Sequence, residues 1–199
     1  MNKRTLIFKD ITKCTIEEKM NIRILRNSKD IRQFMYTDHI ITKDEHISYI
    51  NNLKADKKNL IFIIIDNFNK VIGLVSLNSI NKIKKNADWA FYVNPRIKNI
   101  GSVIEYYFIE FFFKDFKYEK LNCEVLENNI TTQSLHKKFL FKEEGFKNKV
   151  IIRDGKELKI ILFGLTKNVW FKRKVELSIF KKYFDKYNVI FNYDKNLFN

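Results

Sequence analysis

The spacing of apolar residues predicts strands in five parts of the chain. Short runs rich in β-branched and aromatic residues, bounded by Asn, Asp, Gly or Pro, are typical of strands. They occupy residues 6–12, 59–80, 87–95, 120–129 and 150–165. The second and last runs are long enough for two antiparallel strands each. Their turns are predicted at residues 66–69 and at Asp154–Gly155, because Asn, Asp and Gly favour turn geometry.

Helical spacing, with apolar residues three or four positions apart, occurs between these strands. It covers residues 15–27, 42–54 and 102–113, and a short helix with its exit at 130–146. The first two helices begin with a capping box, in which a Thr caps the helix and a Glu three residues later caps the Thr in return. Thr15 pairs with Glu18 in one box, and Thr42 with Glu45 in the other.

The order of these elements predicts the fold class. One strand and two helices precede three strands, a helix, a strand, another helix and a final pair of strands. A central mixed, mostly antiparallel sheet flanked by helices accounts for this order, which makes the chain an α+β (mixed α/β) protein. We expect residues 1–165 to form this domain.

Residues 166–199 have a different pattern. Apolar residues recur at helical intervals among lysines, as in the stretch WFKRKVELSIFKKYFDKY. The pattern predicts a basic amphipathic helix as a C-terminal extension. We expect its apolar face to pack on the domain or on the other subunit of a homodimer rather than on a membrane.

The net charge of the chain bears on whether it binds nucleic acid or a small anionic ligand. The 199 residues include 38 Lys and Arg against 23 Asp and Glu, which gives a formal net charge of +15. Such an excess is typical of nucleic-acid-binding proteins, but these lysines are spread along the whole chain. We therefore do not expect nucleic acid to be the main partner, and a small ligand that carries phosphate groups fits the charge equally well.

Two further features bear on where the protein works. No apolar run reaches the roughly 18 residues of a membrane span, and the first residues lack the apolar segment of a signal peptide. Cys14 and Cys123 lie far apart and belong to no metal-ligand spacing, so we expect reduced thiols and no metal. These features predict a cytoplasmic protein.

A basic turn before the third helix is a candidate anion site. The strand that ends at Pro95 leads into the turn Lys98–Val103, which contains Gly101. The first backbone N–H groups of a helix lack intrahelical partners and lie at the positive end of its dipole, so they suit a pyrophosphate. The glycine lets the backbone approach a ligand closely, and Arg96 and Lys98 add positive charge.

This turn resembles the signature of the GNAT acetyltransferase superfamily, which is a V-x-P-like strand end, then Q/R-x-x-G-x-G/A and a helix. Here Val93-Asn94-Pro95 is followed by Lys98-x-x-Gly101-x-Val103, with lysine for Gln/Arg and valine for the last small residue. One strand later, EVLENNITTQSLHKKFLFKEEGF is similar to the second signature of the family, with Asn128 and Asn129 at the strand end. The resemblance spans roughly residues 1–165.

The resemblance implies an enzyme that transfers the acetyl group of acetyl-CoA directly to an amine. The turn would bind the coenzyme pyrophosphate, and backbone N–H groups of the splayed strand would hold the oxyanion of the tetrahedral intermediate. The residues that the resemblance assigns to the coenzyme are Phe91, Tyr92, Val93, Lys98, Asn99, Ile100, Gly101, Ser102, Val103, Asn128 and Asn129.

A second resemblance, to one group of enzymes within the superfamily, bears on the substrate that accepts the acetyl group. Residues 24–50, ILRNSKDIRQFMYTDHIITKDEHISYI, are similar to PseH-type enzymes, which N-acetylate a UDP-linked 4-amino-4,6-dideoxy sugar in pseudaminic acid biosynthesis. This likeness implies that Arg26 meets the substrate diphosphate, while Met35, Tyr36 and Tyr92 offer stacking surface. His46 would contact the nucleotide sugar or help to deprotonate the amine. A helix-end salt bridge for Arg26 and a helix-surface position for His46 are the alternatives.

The general acid is where the sequence departs from the family. The tyrosine that usually follows Asn129 on the next helix aligns with His136. His136 would protonate the leaving thiolate; alternatively it is a surface histidine and solvent supplies the proton, or activity is lost. Ser76 matches a serine that orients a water chain in PseH-type enzymes, and is otherwise an ordinary strand residue. Glu124 and Glu127 are candidate water-ordering carboxylates.

Three functions remain open at this level. The first is acetyl-CoA-dependent N-acetylation of a nucleotide-linked amino sugar. The second is N-acetylation of a protein N-terminus or another amine, which needs a groove for an extended peptide. The third is a catalytically degenerate module that binds CoA, or nucleic acid through a basic surface, which the change to His136 and the basic extension motivate.

Overall fold

The computed structural model of the protein describes residues 3–153 and 155–194, without the side chains of residues 149 and 150. Within these residues, eight strands form one sheet. Their bounds are β1 Arg4–Asp10, β2 Leu60–Asp66, β3 Val71–Asn81, β4 Asn86–Val93, β5 Lys120–Leu126, β6 Lys142–Arg153, β7 Lys156–Thr166 and β8 Tyr187–Asn192. The α-helices are α1 Ile16–Asn27, α2 Lys29–Arg32, α3 Lys43–Leu53, α4 Ile100–Phe111, α5 Ile130–Lys138, α6 Lys167–Arg173 and α7 Lys181–Phe184. Short 3-10 segments cover Ile11–Lys13 and Lys174–Phe180, and a π-helical segment, Phe112–Phe116, follows α4.

The sheet is mixed and mostly antiparallel, as the sequence predicts. Its strand order is β6-β7-β5-β4-β3-β2-β1-β8. The pairs β4–β5 and β1–β8 are parallel, and the other neighbours are antiparallel. The turn predicted between β2 and β3 is confirmed, since Asp66 Oδ1 accepts the N–H groups of Phe68 and Lys70 at 2.9 Å each. In the second predicted turn, Gly155 has φ +73°, while Asp154 lies outside the described residues.

Local capping fixes the starts of the two helices that approach the sheet near its centre. Thr15 Oγ1 accepts the N–H of Glu18 at 3.2 Å, and Glu18 Oε2 accepts the N–H of Thr15 at 2.7 Å. Thr42 and Glu45 repeat the same pair of bonds before α3. Both predicted capping boxes are therefore confirmed, and each cap stabilises its helix start by about 1 kcal/mol.

Helices cover both faces of the sheet. On one face, α4 buries Phe108 against Trp89 of β4, with ring centroids 5.3 Å apart. On the other face, Ile22 of α1 and Ile50 of α3 pack with Ile63 of β2 in a second cluster. Because β2 is buried on both faces, its sequence LIFIIID is almost continuously apolar instead of alternating.

The C-terminal residues differ from the single amphipathic helix that the sequence predicts. They form α6, a 3-10 segment, α7 and then β8, which pairs in parallel with β1. The predicted apolar face does pack inward, as Trp170 and Phe184 are buried. The strand was missed because YNVIFN is short and follows a helical pattern, while its partner β1 is at the other end of the chain. No helix in the described part of the chain is long and apolar enough to cross a membrane.

Two smaller differences concern boundaries. The helix predicted at 102–113 begins earlier, at Ile100, and changes to π-helical spacing after Phe111. Strand β6 begins at Lys142, within the segment predicted as the exit of α5. Sequence spacing alone cannot separate a helix exit from the start of an edge strand that is held by pairing with β7.

Candidate active site

Strands β4 and β5 separate partway along their length, and a cavity opens between them. The described pairs of this parallel ladder are Asn86 with Lys120, Ala87 with Leu121 and Asp88 with Asn122. Both strands continue beyond the last pair, to Val93 and Leu126. There β4 bonds only to β3 within the described residues, so alternate backbone polar groups of β4 point to the open side.

The cavity has a volume of about 800 Å³ and is lined from several elements. One part of its wall comes from the two separated strands and the start of α5. Another comes from the end of α1, α2 and the segment that follows α2. The lining residues are Arg26, Asp30, Ile31, Phe34, Met35, Tyr36, Thr37, Asn78, Asp88, Trp89, Ala90, Phe91, Tyr92, Val93, Pro95, Cys123, Glu124, Val125, Leu126, Asn129, Thr131, Thr132 and His136.

The coenzyme residues predicted on β4 and at the start of α5 do reach this cavity. Phe91, Tyr92 and Val93 line it from β4, and Asn129 lines it from the other side. Asn129 also caps α5, since its Oδ1 accepts the N–H of Thr132 at 3.2 Å. Asn128 is exposed and stands outside the described lining.

The predicted pyrophosphate turn lies at the start of α4, beyond the cavity end at Pro95. Asn99 precedes the helix with a left-handed φ of +61°, and within the described residues its side chain makes no capping bond. The first N–H groups of α4 are therefore not capped by that side chain. Ile100 and Val103 are buried, so only their backbones are available to a ligand, while Asn99 and Ser102 line a second cavity of about 190 Å³.

Gly101 lies in the first turn of α4, next to α5 and β4. A Cβ atom at this position would lie 3.5 Å from Leu135 Cδ2 and 3.8 Å from Phe91 Cε2. A side chain at this position would therefore face α5 and β4, and the left-handed residue of the turn is Asn99. Both distances are ordinary van der Waals contacts, so a methyl group is accommodated here.

His136 is buried, which excludes the surface position considered from the sequence. It is 3% exposed, and its Nδ1 lies 2.8 Å from Glu105 Oε1 on α4. Glu105 is fully buried, and burial raises the pKa of its carboxyl group while His136 opposes that shift. Sequence reasoning missed Glu105, although an acidic residue between Gly101 and Phe108 on the apolar face of a helix is a usable signal.

Arg26 stands on the cavity wall at the end of α1. Its Nη2 donates to the Thr37 carbonyl oxygen at 2.9 Å and to Thr37 Oγ1 at 3.1 Å. Its Nη1 is buried and has no hydrogen-bond partner within the described residues. Burial lowers the pKa of Arg26, and the charges of Arg32 and Arg153 add to this shift. The predicted helix-end salt bridge is replaced by bonds to a neutral threonine.

Arg32 and Arg153 share one carboxylate close to this wall. Arg32 Nε lies 3.3 Å from Asp38 Oδ1, and Arg153 Nη1 lies 3.5 Å from Asp38 Oδ2. Arg153 also donates to the backbone carbonyl of Met35, which lines the cavity. With Arg26, three guanidinium groups stand against two carboxylates, those of Asp38 and of Asp30, which lines the same wall, so the net charge at this end of the cavity is positive.

Two of the three carboxylates that line the cavity, Asp30, Asp88 and Glu124, have side-chain partners in the described structure. The Tyr36 hydroxyl donates to Glu124 Oε2, and Lys147 pairs with Glu124 Oε1. Burial, followed by the bond to Glu124, raises the pKa of Tyr36. Asp88 Oδ1 accepts from Asn122 Nδ2 at 3.2 Å. Glu124 thus lies in the cavity as the sequence suggested, but it is held by a tyrosine and a lysine.

The second candidate carboxylate, Glu127, has a structural bond. Its Oε1 accepts the backbone N–H of Lys159 at 2.7 Å. Glu127 stands outside the described cavity lining. Its carboxylate secures β7 next to the end of β5, so a role in ordering catalytic water is not supported.

Neither His46 nor Ser76 belongs to the described cavity lining. His46 Nε2 lies 2.9 Å from the Lys19 carbonyl oxygen, so this nitrogen carries the proton and donates it, tying α3 to α1. Burial lowers the pKa of His46. Ser76 lies in β3 behind the wall, where its hydroxyl donates to the Ala90 carbonyl at 3.4 Å and accepts from Asn78 Nδ2 at 3.0 Å. A water chain from Ser76 would have to pass Asn78, which does line the cavity.

No cluster of three or more His, Cys, Asp or Glu side chains suited to a metal ion occurs in the part of the chain that the structure describes. Cys14 and Cys123 are free and buried. Burial raises the pKa of Cys14 to about 12 and raises that of Cys123 well above its usual range. Cys123 is therefore an un-ionised thiol in the cavity wall.

Comparisons with known proteins agree with this geometry. Residues 11–142 match the family model of the acetyltransferase (GNAT) domain. The spermidine N-acetyltransferase from Vibrio cholerae, solved with CoA and spermine, is a similar structure with 19% identity and a TM-score of 0.76, over 85% of this chain and 98% of that one. A dodecameric structure of spermidine N-acetyltransferase from Vibrio cholerae in an intermediate state has 19% identity and a TM-score of 0.71, over 86% of this chain and 98% of that one. At this identity the solved structures show a shared fold. No curated protein matches the chain.

Proposed function

Because the chain belongs to the GNAT acetyltransferase family, we propose that it acetylates the 4-amino group of a UDP-linked amino-dideoxy sugar. The enzyme is an acetyl-CoA-dependent N-acetyltransferase of the GNAT type. The acceptor is the part that we infer. The observation that carries it is the buried guanidinium of Arg26 on the cavity wall, with a nitrogen that lacks a hydrogen-bond partner within the described residues.

The separated strands suit the donor half of the reaction. The thioester would lie between β4 and β5, with its carbonyl oxygen near those backbone N–H groups at the end of β4 that point away from β3. Such groups stabilise the negative charge that develops when the amine attacks the carbonyl carbon. The fixed position of both reactants supplies much of the rate in a direct transfer.

A buried arginine with spare hydrogen-bonding capacity favours an anionic acceptor. An arginine fork binds phosphate oxygens through two parallel N–H bonds. In the part of the chain that the structure describes, Arg26 Nη2 bonds to Thr37, and the nearby pair Arg32 and Arg153 adds positive charge. A diphosphate at this wall would give Nη1 of Arg26 the partner that it lacks. Met35 and Tyr36 would then offer surface for the sugar and the base.

A polyamine acceptor, which the similar solved structures name, fits this wall less well. A polycation needs carboxylates with free oxygens, and three carboxylates line the cavity. Glu124 is engaged by Tyr36 and Lys147, and Asp88 Oδ1 by Asn122, which leaves Asp30 on the same wall as Arg26. Bringing a polycation next to Arg26 also costs free energy in a low-dielectric cavity. We keep spermidine as a competing acceptor in the test, together with a protein N-terminus.

The test is release of CoA thiol from acetyl-CoA with three acceptors at equal concentration. These are a UDP-linked 4-amino-4,6-dideoxy sugar, spermidine and a peptide with a free N-terminus. We expect the largest kcat/KM for the nucleotide sugar. Faster turnover of spermidine or the peptide would assign the acceptor to that class instead. Binding of acetyl-CoA in calorimetry with no turnover of any amine would make the chain a degenerate CoA-binding module.

Two further expectations belong to the same proposal. The reduced, buried thiols of Cys14 and Cys123 favour a cytoplasmic site of action. A homo-oligomer is also expected, since one of the similar solved structures is a dodecamer. Light scattering of the purified protein measures the second point directly.

A further inference from the structure

The interior of α4 contains a carboxylate that the reaction described above does not use. Glu105 is 0% exposed and lies among apolar side chains. A carboxylate in such a place costs free energy unless it is paired and hydrogen-bonded. One oxygen, Oε1, meets His136 Nδ1 at 2.8 Å, and the other, Oε2, has no hydrogen-bond partner within the described residues. The ring of His136 is therefore the group that Glu105 is placed to hold.

The imidazole ring is fixed on its other sides by aromatic contacts. Its centroid lies 5.1 Å from that of Phe141, 5.5 Å from that of Trp89 and 6.0 Å from that of Phe163. His136 still belongs to the cavity lining. Because Nδ1 is occupied by Glu105, Nε2 is the ring nitrogen left for a partner in the cavity.

We propose that Glu105 is a positioning residue that holds His136 with an Nε2–H group available to the sulfur of acetyl-CoA. This inference rests on the acetyl transfer proposed above, in which His136 is the general acid. It does not depend on the identity of the acceptor amine.

His136 gives up its proton when the carbon–sulfur bond of the intermediate breaks. The amine nitrogen bonds to the carbonyl carbon, and the carbon–sulfur bond of the tetrahedral intermediate then breaks. The sulfur keeps the electron pair and takes the proton from His136 Nε2, which forms the CoA thiol. The amine loses its extra proton to water, and water returns a proton to Nε2. Throughout, Glu105 keeps its bond to Nδ1–H and offsets the charge of the protonated ring.

A third titratable group beside this pair is the Cys123 thiol on β5. Burial, and next the charge of Glu105, raise the pKa of Cys123 well above its usual range. The thiol therefore stays protonated wherever the enzyme works. The carboxylates of Asp88 and Glu124 also act on Cys123, but Glu124 already pairs with Lys147. A pH dependence of the rate that changes with Glu105 therefore does not come from this thiol.

The central test is Glu105→Gln, which keeps an oxygen acceptor for Nδ1–H and removes the charge. We expect kcat to fall about 10- to 100-fold, in the range of general acid–base effects. KM for both substrates should stay nearly constant, and the basic limb of the kcat profile should move to lower pH. Glu105→Asp keeps the charge, so its pH profile should resemble that of the wild type.

Glu110→Gln is the matched control on the same helix. Glu110 is half-buried and bonds to Trp170 and Lys174, on the side of α4 that faces the C-terminal segment. The same chemical change there should lower stability without moving the pH profile. A Glu105→Gln enzyme with a lower melting temperature but wild-type kcat and pH profile would overturn the proposal, since Glu105 would then only support the fold.

A spectroscopic measurement on the wild-type protein covers the case in which Glu105 variants fail to fold. The ¹⁵N and ¹H signals of the His136 ring show which nitrogen carries a proton. We expect a proton on Nδ1, facing Glu105, and a second proton on Nε2 in the active enzyme. A ring with a bare Nδ1 throughout the active pH range contradicts the proposal. Because no acceptor is needed, this result stays separate from any failure of the proposed sugar substrate.

Discussion

At the scale of single residues, burial places the three histidines of the chain in three different environments. His39 is exposed and lies 3.3 Å from Glu45, whereas His46 is buried against a backbone carbonyl. His136 is buried against Glu105, 31 residues away in sequence. Resemblance singled out His46 and His136, but the partner of each ring depends on how helices pack. A sequence pattern records neither the partner nor the burial.

The two thiols give a test of burial that does not require any substrate. The pKa of Cys14 is raised to about 12, chiefly by burial, and burial also raises that of Cys123 well above its usual range. We expect Cys14 to react with a disulfide reagent about a thousandfold more slowly than a free thiol near pH 8, because thiolate is the reactive form, and Cys123 to react slowly as well. The same protein in denaturant is the control and should react at both residues. Rapid labelling of the native protein would contradict the buried positions.

At the scale of elements, the sequence predicted where helices α1 and α3 begin, but apolar spacing did not predict how strands β4 and β5 are arranged. Thr15 and Thr42 cap their helices through residues three positions away, so the signal is local and was readable. The separation of β4 from β5 is not local, because it depends on strands that are joined only through α4 and its π-helical end. The spacing of apolar residues therefore predicted the strands alone. The expectation that a strand splays away from its neighbour came from the resemblance to the GNAT family.

The bond that ties α3 to α1 makes stability depend on pH. The pKa of His46 lies below its usual 6.5, mainly because of burial. As pH falls below about 6.5, the unfolded chain takes up the proton before the folded one, so stability is lost on acidification and is fully present above that pH. His46→Gln keeps a donor for the Lys19 carbonyl and removes the titration. We expect a flatter dependence of unfolding free energy between about pH 5 and 7.

The exposed histidine supplies the control for that measurement. His39→Gln makes the same chemical change at a residue that is 56% exposed. It should keep the pH dependence of the wild type. Equal flattening in both variants would mean that His46 is not the group responsible.

Alanine variants of two glycines, Gly101 and Gly73, show whether each glycine is needed for packing or for contact with the coenzyme. In Gly101→Ala the new methyl group finds ordinary contacts with Leu135 and Phe91. We expect the affinity for acetyl-CoA to change by less than about twofold, with stability retained, because alanine favours the helix. Gly73→Ala in β3 is the contrast, since its Cβ would lie 2.6 Å from the Tyr92 carbonyl oxygen.

Thermal unfolding and calorimetry with acetyl-CoA check both glycine variants. Gly73→Ala should destabilise the protein by about 1–3 kcal/mol, the usual cost of overpacking. A large loss of acetyl-CoA affinity in a stable Gly101→Ala protein would favour the interpretation drawn from the sequence, in which the glycine makes room for the pyrophosphate.

At the scale of the whole molecule, the C-terminal segment completes the sheet. Strand β8 covers the edge of β1, and the Phe191 ring stacks on Phe111 at 3.7 Å and on Phe8 at 4.5 Å. The sequence predicted that apolar residues of this segment pack on the domain, and Trp170 and Phe184 do so. It did not predict the strand, because parallel pairing between the two ends of a chain leaves no local signal.

Truncation of one ring tests how far this segment supports the fold. Phe191 is half-buried, so Phe191→Ala should lower the free energy of unfolding by about 2 kcal/mol, somewhat below the cost at a fully buried phenylalanine. Phe68→Ala is the control, because Phe68 is 74% exposed in the turn between β2 and β3. Denaturant unfolding measures both. Equal stability of the two variants would show that β8 is not held in the sheet.

The charge of the cavity leads to the most direct test of the proposed acceptor. The measurement is the ratio of kcat/KM for the UDP-linked amino sugar to kcat/KM for the same sugar without the nucleotide. We expect the wild type to prefer the nucleotide form, and Arg26→Gln to reduce that preference about 10- to 100-fold, the usual worth of a hydrogen bond to a charged group. Arg23→Gln is the control, since Arg23 lies on the same helix and bonds to the Ile41 carbonyl. A ratio that is unchanged in Arg26→Gln, or a wild type that prefers spermidine, would contradict an anionic acceptor at this wall.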